Sequence, residues 1–454
     1  MSDGQHIKTM GRKDITLFCI SAILLLDTLA AGASIGASSI FWWVFLGIVF
    51  FIPFSLITAE LGCTYPDQGG VYAWVNRAYG GRWGARITWS YWVNIAVWFP
   101  SLCILFAGIF SKLSGVDLSL NEQILVGVVL SWIGVLVNVV TLDVGKWVPN
   151  LGAIIKMIVF FVIIGGSLVY SLSNPPANDM SFSNMVPSLG EGLEYLPVII
   201  YGMLGFELIS AGSDEVRNPR KNVPQGILIS GAIIILLYIF ATIAILTAVP
   251  ASEINLVEGL VDTLQLFVGG SSLGDAVVVV LSVGALYTFF SNGVTWSLGG
   301  NRAIAEVALD GGMPKAFAYE SPSRGTPVGA AVLLGITSTI ILVAYGFLAG
   351  SNEDLFWSLF AFSGVIFMIP YVAMAFAYIK LRKTAPNDRE LFRIGGPDWF
   401  VNGLAYLCAL VLILTILLFV YVPGDGVQWP VAIGALVLLV LGEILTRVSE
   451  RKRA

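Results

Sequence analysis

Histidine is almost absent from this sequence of 454 residues, and His6 in the N-terminal tail is the only one. Most metal centres and most acid–base catalytic sites use histidine. Its scarcity argues strongly against a metal site and against histidine-dependent catalysis. The chain also contains no GxxxxGKS or GxxxxGKT phosphate-binding loop, which excludes ATP-driven transport by this chain. The sequence therefore predicts no enzymatic activity, no metal and no cofactor.

Cysteine and charged residues are scarce as well. The four cysteines, Cys19, Cys63, Cys103 and Cys408, lie in or beside apolar runs and show no CxxC spacing. This pattern is typical of small apolar residues and not of a disulfide framework or a metal site. Only 12% of the residues are charged while 57% are hydrophobic. The chain is too apolar for a soluble domain of this size.

The sequence consists largely of long apolar runs. A bilayer is crossed by about 20 helical residues, and the runs predict twelve spans. They are 15–38, 40–62, 86–111, 122–141, 148–172, 192–211, 225–249, 273–304, 327–349, 354–379, 400–421 and 427–447. Their continuity argues against a β-barrel, whose strands alternate apolar and polar residues. The fold class predicted is an all-α polytopic membrane protein with twelve transmembrane helices.

The positive charges predict how these spans are oriented. Of 24 Lys and Arg residues, only Lys112 falls on one face and only Lys156 inside a span, which leaves 22 on the other face. Basic residues accumulate on the cytoplasmic side of membrane proteins. We therefore expect a cell-membrane (inner-membrane) protein with a cytoplasmic tail at 1–14 and both termini cytoplasmic. The acidic connection around Glu253, Glu258 and Asp262 is expected on the opposite side.

Two runs of small residues are predicted to interrupt their helices. One, in the first span, contains Ala31, Gly32, Ala33, Ser34 and Gly36; the other, in the sixth, covers 201–207 with Gly202 and Gly205. Glycine in membrane helices often serves close packing alone. Interruptions at corresponding places in two five-span halves instead indicate an inverted repeat with a binding site between the halves. We expect one domain over 1–454, with repeats at 15–172 and 192–379 and two peripheral helices at 400–447.

Backbone groups released at such interruptions favour a particular ligand class. Free N–H groups at the positive end of a half-helix attract a carboxylate. Free carbonyl oxygens accept hydrogen bonds from an ammonium group. Small amino acids or related amines are therefore the expected ligands.

Several motifs in the sequence resemble those of the amino acid–polyamine–organocation (APC) transporters. They are FIP at 51–53, AEL at 59–61, Pro66, GGVYAWV at 69–75, YG at 79–80, EVRNPRKNVP at 215–224, WSLGGNR at 296–302 and LDGGMP at 309–314. The pattern is most similar to the bacterial glutamate/GABA antiporter branch. The resemblance implies the LeuT-type fold, with spans 1–5 and 6–10 inverted and spans 11–12 peripheral. The chain ends soon after its last span, so the C-terminal plug of that branch is not expected.

Three of the ionisable residues within the predicted spans are functional candidates, since charge is costly there and usually marks function. By resemblance, Glu207 matches an acidic residue that links substrate occupancy to gating, and in some relatives to protonation. Lys156 matches a lysine whose ammonium takes the place of sodium in sodium-coupled members; snorkelling to the interface is its alternative. Asp27 has no counterpart in the resemblance. A contact with a substrate amine, a proton site and a structural ion pair are all open for it.

Aromatic and amide side chains complete the predicted site. By resemblance, Tyr201 and Trp296 match pocket-lining aromatics of the arginine/agmatine antiporter, and packing is the alternative for both. Asn94 is a polar residue in the apolar third span, and it fits either a pocket or a helix–helix contact.

The leading functional hypothesis is a secondary active transporter, either an antiporter or a proton-coupled permease, of small amino acids or related compounds by alternating access. The alternative is a transporter of cationic amines such as putrescine and agmatine, because Asp27 and Glu207 both lie near the site. A transport-inactive sensor and a membrane enzyme are less favoured. The expected partners are a small-molecule substrate and the lipid bilayer, with no nucleic acid. Proton coupling and a homodimer stay open.

Overall fold

Helices make up most of the computed structural model, which describes residues 11–65, 70–140, 147–187, 193–207, 216–385 and 391–451. His6, Pro66, Gly69 and Glu215 lie outside the described residues. The helices are α1 Arg12–Ile23, α2 Leu29–Ser34, α3 Ser38–Leu46, α4 Ile52–Thr64, α5 Val71–Tyr79, α6 Gly81–Ser114, α7 Leu120–Val140, α8 Trp147–Tyr170, α9 Phe182–Met185, α10 Pro197–Tyr201, α11 Pro219–Ala248, α12 Gly259–Val268, α13 Ser272–Leu309, α14 Val328–Gly346, α15 Asn352–Thr384, α16 Asp398–Val420 and α17 Trp429–Arg451. A π-helical turn, Gly47–Phe51, joins α3 to α4, and short 3₁₀ turns cover Leu193–Tyr195, Ala251–Glu253 and Lys315–Ala318. The strands β1 Tyr421–Val422 and β2 Gly426–Val427 form a two-stranded antiparallel ribbon between α16 and α17.

Ten helical segments in the described part of the chain are long and apolar enough to cross a membrane. They correspond to ten of the twelve predicted spans. The two predicted spans without such a helix are 15–38 and 192–211, which contain the predicted interruptions. The protein is thus a multi-pass helical membrane protein whose two short-helix segments occur where interruptions were expected.

The first interruption lies earlier in the chain than predicted. Helix α1 ends at Ile23, the backbone is non-helical over 24–28, and helix α2 follows at Leu29–Ser34. The small residues expected to form the break are therefore mostly helical, and only Gly36, with φ of +82°, leaves the helix after them. A side chain from another helix bonds the backbone at this break. The hydroxyl of Tyr238 on α11 accepts a hydrogen bond from the Leu25 amide at 2.9 Å and donates one to the Leu25 carbonyl at 3.1 Å.

The second interruption lies within the predicted run. Helix α10 ends at Tyr201, and a turn leads to Gly205 before a 3₁₀ turn at 206–207. Gly205 has φ of +111°, a conformation that residues with a β-carbon rarely adopt. A helix cannot continue through this conformation, so Gly205 keeps the chain after α10 from resuming a regular helix at this point.

Close packing between α6 and α13 positions the two helices that carry most of the predicted pocket residues. The buried ring of Phe99 on α6 lies between two glycines. A β-carbon at Gly293 on α13 would lie 2.1 Å from this ring, and one at Gly134 on α7 would lie 2.5 Å from it. The ring therefore has no room to move towards either neighbouring helix.

Replacing Gly293 by Ala is expected to lower the stability of the protein. The new methyl group meets three atoms of the Phe99 ring within 3 Å, and overpacking of this kind costs about 1–3 kcal/mol. The thermal midpoint in detergent should fall for Gly293→Ala. Gly299→Ala, on the same helix but with no neighbouring atom within 4 Å of the added carbon, should not lower the midpoint. Equal midpoints for the two variants would contradict this packing argument.

The acidic connection after α11 returns to the end of α6. Lys112 on α6 pairs with Glu258 at 3.0 Å and also with Asp262 on α12. The basic residue predicted on the minority face thus lies at the same end of the bundle as the acidic connection.

Candidate functional site

A small cavity lies between the two interruptions. Its volume is about 20 Å³, roughly the room that one water molecule needs. Residues from α1, both breaks, α6, α13 and α15 line it: Ala22, Ile23, Leu25, Asn94, Trp98, Tyr201, Leu204, Trp296 and Phe367. Three of the predicted substrate-site residues, Asn94, Tyr201 and Trp296, are therefore brought together here.

Asp27 lies in the first break itself and not within a continuous helix. The side chain is buried, with 3% exposure. Its Oδ2 accepts a hydrogen bond from the Nε1 of the cavity-lining Trp98 at 3.2 Å. A carboxylate is thereby held beside the cavity by a donor on α6, because the break lets the chain turn Asp27 towards that helix.

Aromatic rings from four helices surround the cavity. The ring of Trp296 on α13 lies 5.9 Å from Trp98 and 5.8 Å from Tyr91, both on α6. The ring of Phe367 on α15 lies 6.0 Å from Trp296 and 5.1 Å from Tyr201 at the end of α10. These rings form an aromatic cage around the cavity, and aromatic faces attract cations.

Asn94 contributes an acceptor to the same wall. The side chain is 1% exposed, and its Oδ1 is buried without a hydrogen-bond partner among the described residues. An unpaired buried amide oxygen costs about 1–3 kcal/mol. A ligand that donates a hydrogen bond would remove this cost, so the geometry gives weight to the pocket role of Asn94.

Glu207 connects the second break to α15. It is 4% exposed, and its Oε1 accepts a hydrogen bond from the Tyr371 hydroxyl at 2.6 Å. The Tyr371 ring lies 5.0 Å from that of Phe367 in the cavity wall. One hydrogen bond and one ring contact thus connect Glu207 to the cavity wall.

Lys156 lies deep in the bundle and does not reach the surface. It is 1% exposed on α8, and its Nζ donates to Asn292 Oδ1 on α13 at 3.2 Å. Its ammonium group also interacts electrostatically with Asp27. The ammonium group thus connects α8 to α13, and snorkelling to the interface does not describe its position.

The remaining predicted site residues lie outside the wall of this cavity. Ala31, Gly32 and Ala33 are buried in α2, and the Ser34 hydroxyl donates back to the Ala30 carbonyl at 3.0 Å. In the part of the chain that the structure describes, neither these residues nor Gly36, Gly202 and Gly205 belong to the lining. These residues belong to the backbone segments that surround the site.

Sequence reasoning missed several residues that build the site. Phe367 and Tyr371 come from α15, and Tyr238 comes from α11. All three are aromatic residues in apolar helices, and 12% of the chain is aromatic. The one available signal was the hydroxyl of each tyrosine, which needs a partner when it is buried in a span.

Two interrupted helices around an occluded, aromatic-lined cavity inside a multi-pass helical bundle define a membrane transporter. Comparison with known proteins identifies the family. The model of the amino acid permease family matches residues 10–441, so the chain belongs to that family. This confirms the resemblance to the APC transporters.

Relatives carry names of transporters. A probable agmatine/putrescine antiporter, AguD, of Lactococcus lactis is 33% identical over 98% of this chain and 96% of its own length. An uncharacterized transporter of Legionella pneumophila is 27% identical over 89% of this chain and 88% of its own. The inner membrane transporter YjeM of Escherichia coli is 24% identical over 79% of each chain. The relatives thus support transport and not enzymatic activity as the function.

Proposed function

We propose that this protein exchanges cationic amines of the agmatine and putrescine type across the membrane. The full-length similarity to a probable agmatine/putrescine antiporter supports this substrate class. Cationic amines were the alternative in the sequence analysis, and they are favoured here over small amino acids.

The observation that carries the proposal is the buried carboxylate of Asp27 beside the cavity. A carboxylate in a low-dielectric site is costly unless a positive charge balances it. Asp27, Glu207 and Lys156 together sum to one negative charge when all are ionised. A cationic amine therefore brings net positive charge to a site whose own net charge is negative, while a zwitterion brings no net charge.

The cage and the amide oxygen give the same ligand preference. An ammonium or guanidinium group gains from the faces of Trp296, Phe367 and Tyr201. It also donates a hydrogen bond to the Oδ1 of Asn94. The aromatic rings and the Asn94 oxygen around the cavity thus both favour a cationic substrate.

Transport is proposed to follow alternating access in a LeuT-type arrangement of twelve spans, with spans 1–5 and 6–10 inverted and both termini cytoplasmic. A cavity of about 20 Å³ is too small for a diamine, so the wall must open for the substrate to enter. Glu207, through Tyr371 and Phe367, is the proposed link between substrate and wall. Lys156 is the proposed cation that holds the first break against α13 without sodium.

Counterflow in proteoliposomes tests this function. Vesicles loaded with putrescine should accumulate labelled agmatine and labelled putrescine, since exchange needs a substrate on each side. Vesicles without internal amine and vesicles without protein are the controls. Uptake of a neutral amino acid with no uptake of either amine would contradict the proposal and favour a zwitterion.

A further inference from the structure

We propose that Tyr238 is a specificity-determining residue that makes the site reject substrates carrying an α-carboxylate. The inference rests on the proposed function and narrows its substrate class to decarboxylated amines. Tyr238 is absent from the cavity wall. It acts through Leu25, the residue of the first break that lines the cavity.

The hydroxyl of Tyr238 occupies the backbone groups that an amino acid would need. It accepts from the Leu25 amide at 2.9 Å, donates to the Leu25 carbonyl at 3.1 Å, and lies 3.3 Å from the hydroxyl of Thr28. The Leu25 N–H is thus used within the protein. A substrate carboxylate that approached this break would have to displace the hydroxyl.

Packing holds this hydroxyl in place. The Tyr238 ring is 1% exposed, stacks on Trp43 at 4.6 Å and meets the edge of Phe160 at 5.6 Å. A β-carbon at Gly202, at the second break, would lie 3.5 Å from the ring. The ring is therefore wedged between the two breaks, with little freedom to swing away from Leu25.

Three amides of the second break are likewise bonded within the protein. The amides of Gly202, Met203 and Leu204 donate to the carbonyls of Val198, Ile200 and Tyr201 at 2.9–3.2 Å. Leu204 is the residue of this break that lines the cavity, and its N–H is occupied in this way. Both break residues in the wall thus have bonded amides.

The polar groups beside the cavity are suited to positive charge. The Trp98 indole N–H already donates to Asp27, and the ammonium group of Lys156 is held by Asn292. The buried Asn94 Oδ1 and the Asp27 carboxylate accept hydrogen bonds. A substrate carboxylate would meet acceptors and a like charge, whereas an amine would meet partners.

Matched substrate pairs test this inference. Arginine and agmatine differ only in the α-carboxylate, as do ornithine and putrescine. In wild-type proteoliposomes, agmatine should inhibit labelled putrescine exchange at a concentration about 100-fold lower than arginine does. In Tyr238→Phe, which frees the Leu25 amide, this ratio should fall by about tenfold or more because arginine gains a donor. Tyr345→Phe, which removes a buried hydroxyl bonded to the Pro430 carbonyl far from the site, should keep the wild-type ratio.

Each outcome bears on the inference. Equal inhibition by arginine and agmatine in the wild type would overturn it while leaving amine exchange intact. An unchanged ratio in folded Tyr238→Phe would overturn the role of Tyr238. If that variant does not fold, Trp43→Leu, which removes the stacking partner of Tyr238, takes its place with the same expected direction. Exchange of neither amine by the wild type would contradict the proposed function instead, and ligand-dependent thermal midpoints with agmatine and arginine would then test the rejection of carboxylates separately.

Discussion

Replacing Asp27 by Asn is expected to abolish exchange of agmatine and putrescine. The change removes the negative charge beside the cavity but keeps the size of the side chain. Removing one partner of a buried, hydrogen-bonded charge pair costs about 2–5 kcal/mol, so kcat/KM should fall about 100-fold or more. Counterflow at several substrate concentrations measures this loss.

Two further variants separate charge from folding. Asp117→Asn changes an exposed aspartate in the connection between α6 and α7 and should leave exchange unchanged. Trp98→Phe keeps the Asp27 carboxylate but removes the donor that orients it. Its kcat/KM should fall by about tenfold, a smaller loss than for Asp27→Asn. Wild-type affinity for both amines in Asp27→Asn would refute a substrate contact and favour a structural role for Asp27.

Local sequence signals were sufficient for most of the helices. An apolar run of bilayer length has few alternatives to a helix, because its backbone must be satisfied internally. Predicted span 122–141 accordingly corresponds to α7 at Leu120–Val140. Predicted span 86–111 is extended in α6, Gly81–Ser114, because the helix continues into polar residues that hydrophobicity does not mark.

The two breaks differ in how far the sequence predicts them. The second depends on the backbone of Gly205, a local property that the residue type reveals. The first depends on Tyr238, which lies 213 positions along the chain from Leu25. No pattern within the first span reveals that contact, so the sequence predicts the interruption at the small residues of α2 instead.

The site residues also divide into those that local sequence reveals and those that only the fold reveals. Asp27, Asn94 and Trp296 are polar or large residues inside apolar runs, and such residues can be identified one at a time. Phe367 and Tyr371 join the site only because α15 packs along α6. Their selection among the aromatic residues of the chain required the three-dimensional arrangement.

A large loss of stability is expected when a buried ion pair far from the cavity is broken. Glu60 near the end of α4 pairs with Arg382 near the end of α15, and their side chains are 5% and 7% exposed. Glu60 Oε2 also accepts from the Tyr378 hydroxyl at 2.9 Å and from the Ile394 amide at 2.7 Å. Arg382 in turn donates to the Ile394 carbonyl at 2.9 Å. The pair therefore joins α4, α15 and the segment before α16.

Replacing Glu60 by Met should destabilise the protein by about 3–5 kcal/mol, because it leaves the guanidinium of Arg382 buried without its carboxylate. The thermal midpoint in detergent measures the loss. Glu450→Gln, which removes the partner of the exposed Arg82 at 2.6 Å, is the matched control and should change the midpoint little, because water solvates both groups.

The double variant Glu60→Met with Arg382→Met distinguishes an unpaired charge from lost packing. Removing both charges takes away the desolvation cost, so the double variant should be more stable than Glu60→Met alone. Its recovery should be incomplete, since Tyr378 and Ile394 still lose an acceptor. A double variant no more stable than the single one would assign the effect to packing. Because Glu60 belongs to the AEL motif that marked the family resemblance, recovery would mean that this acid ties helices together and does not bind substrate.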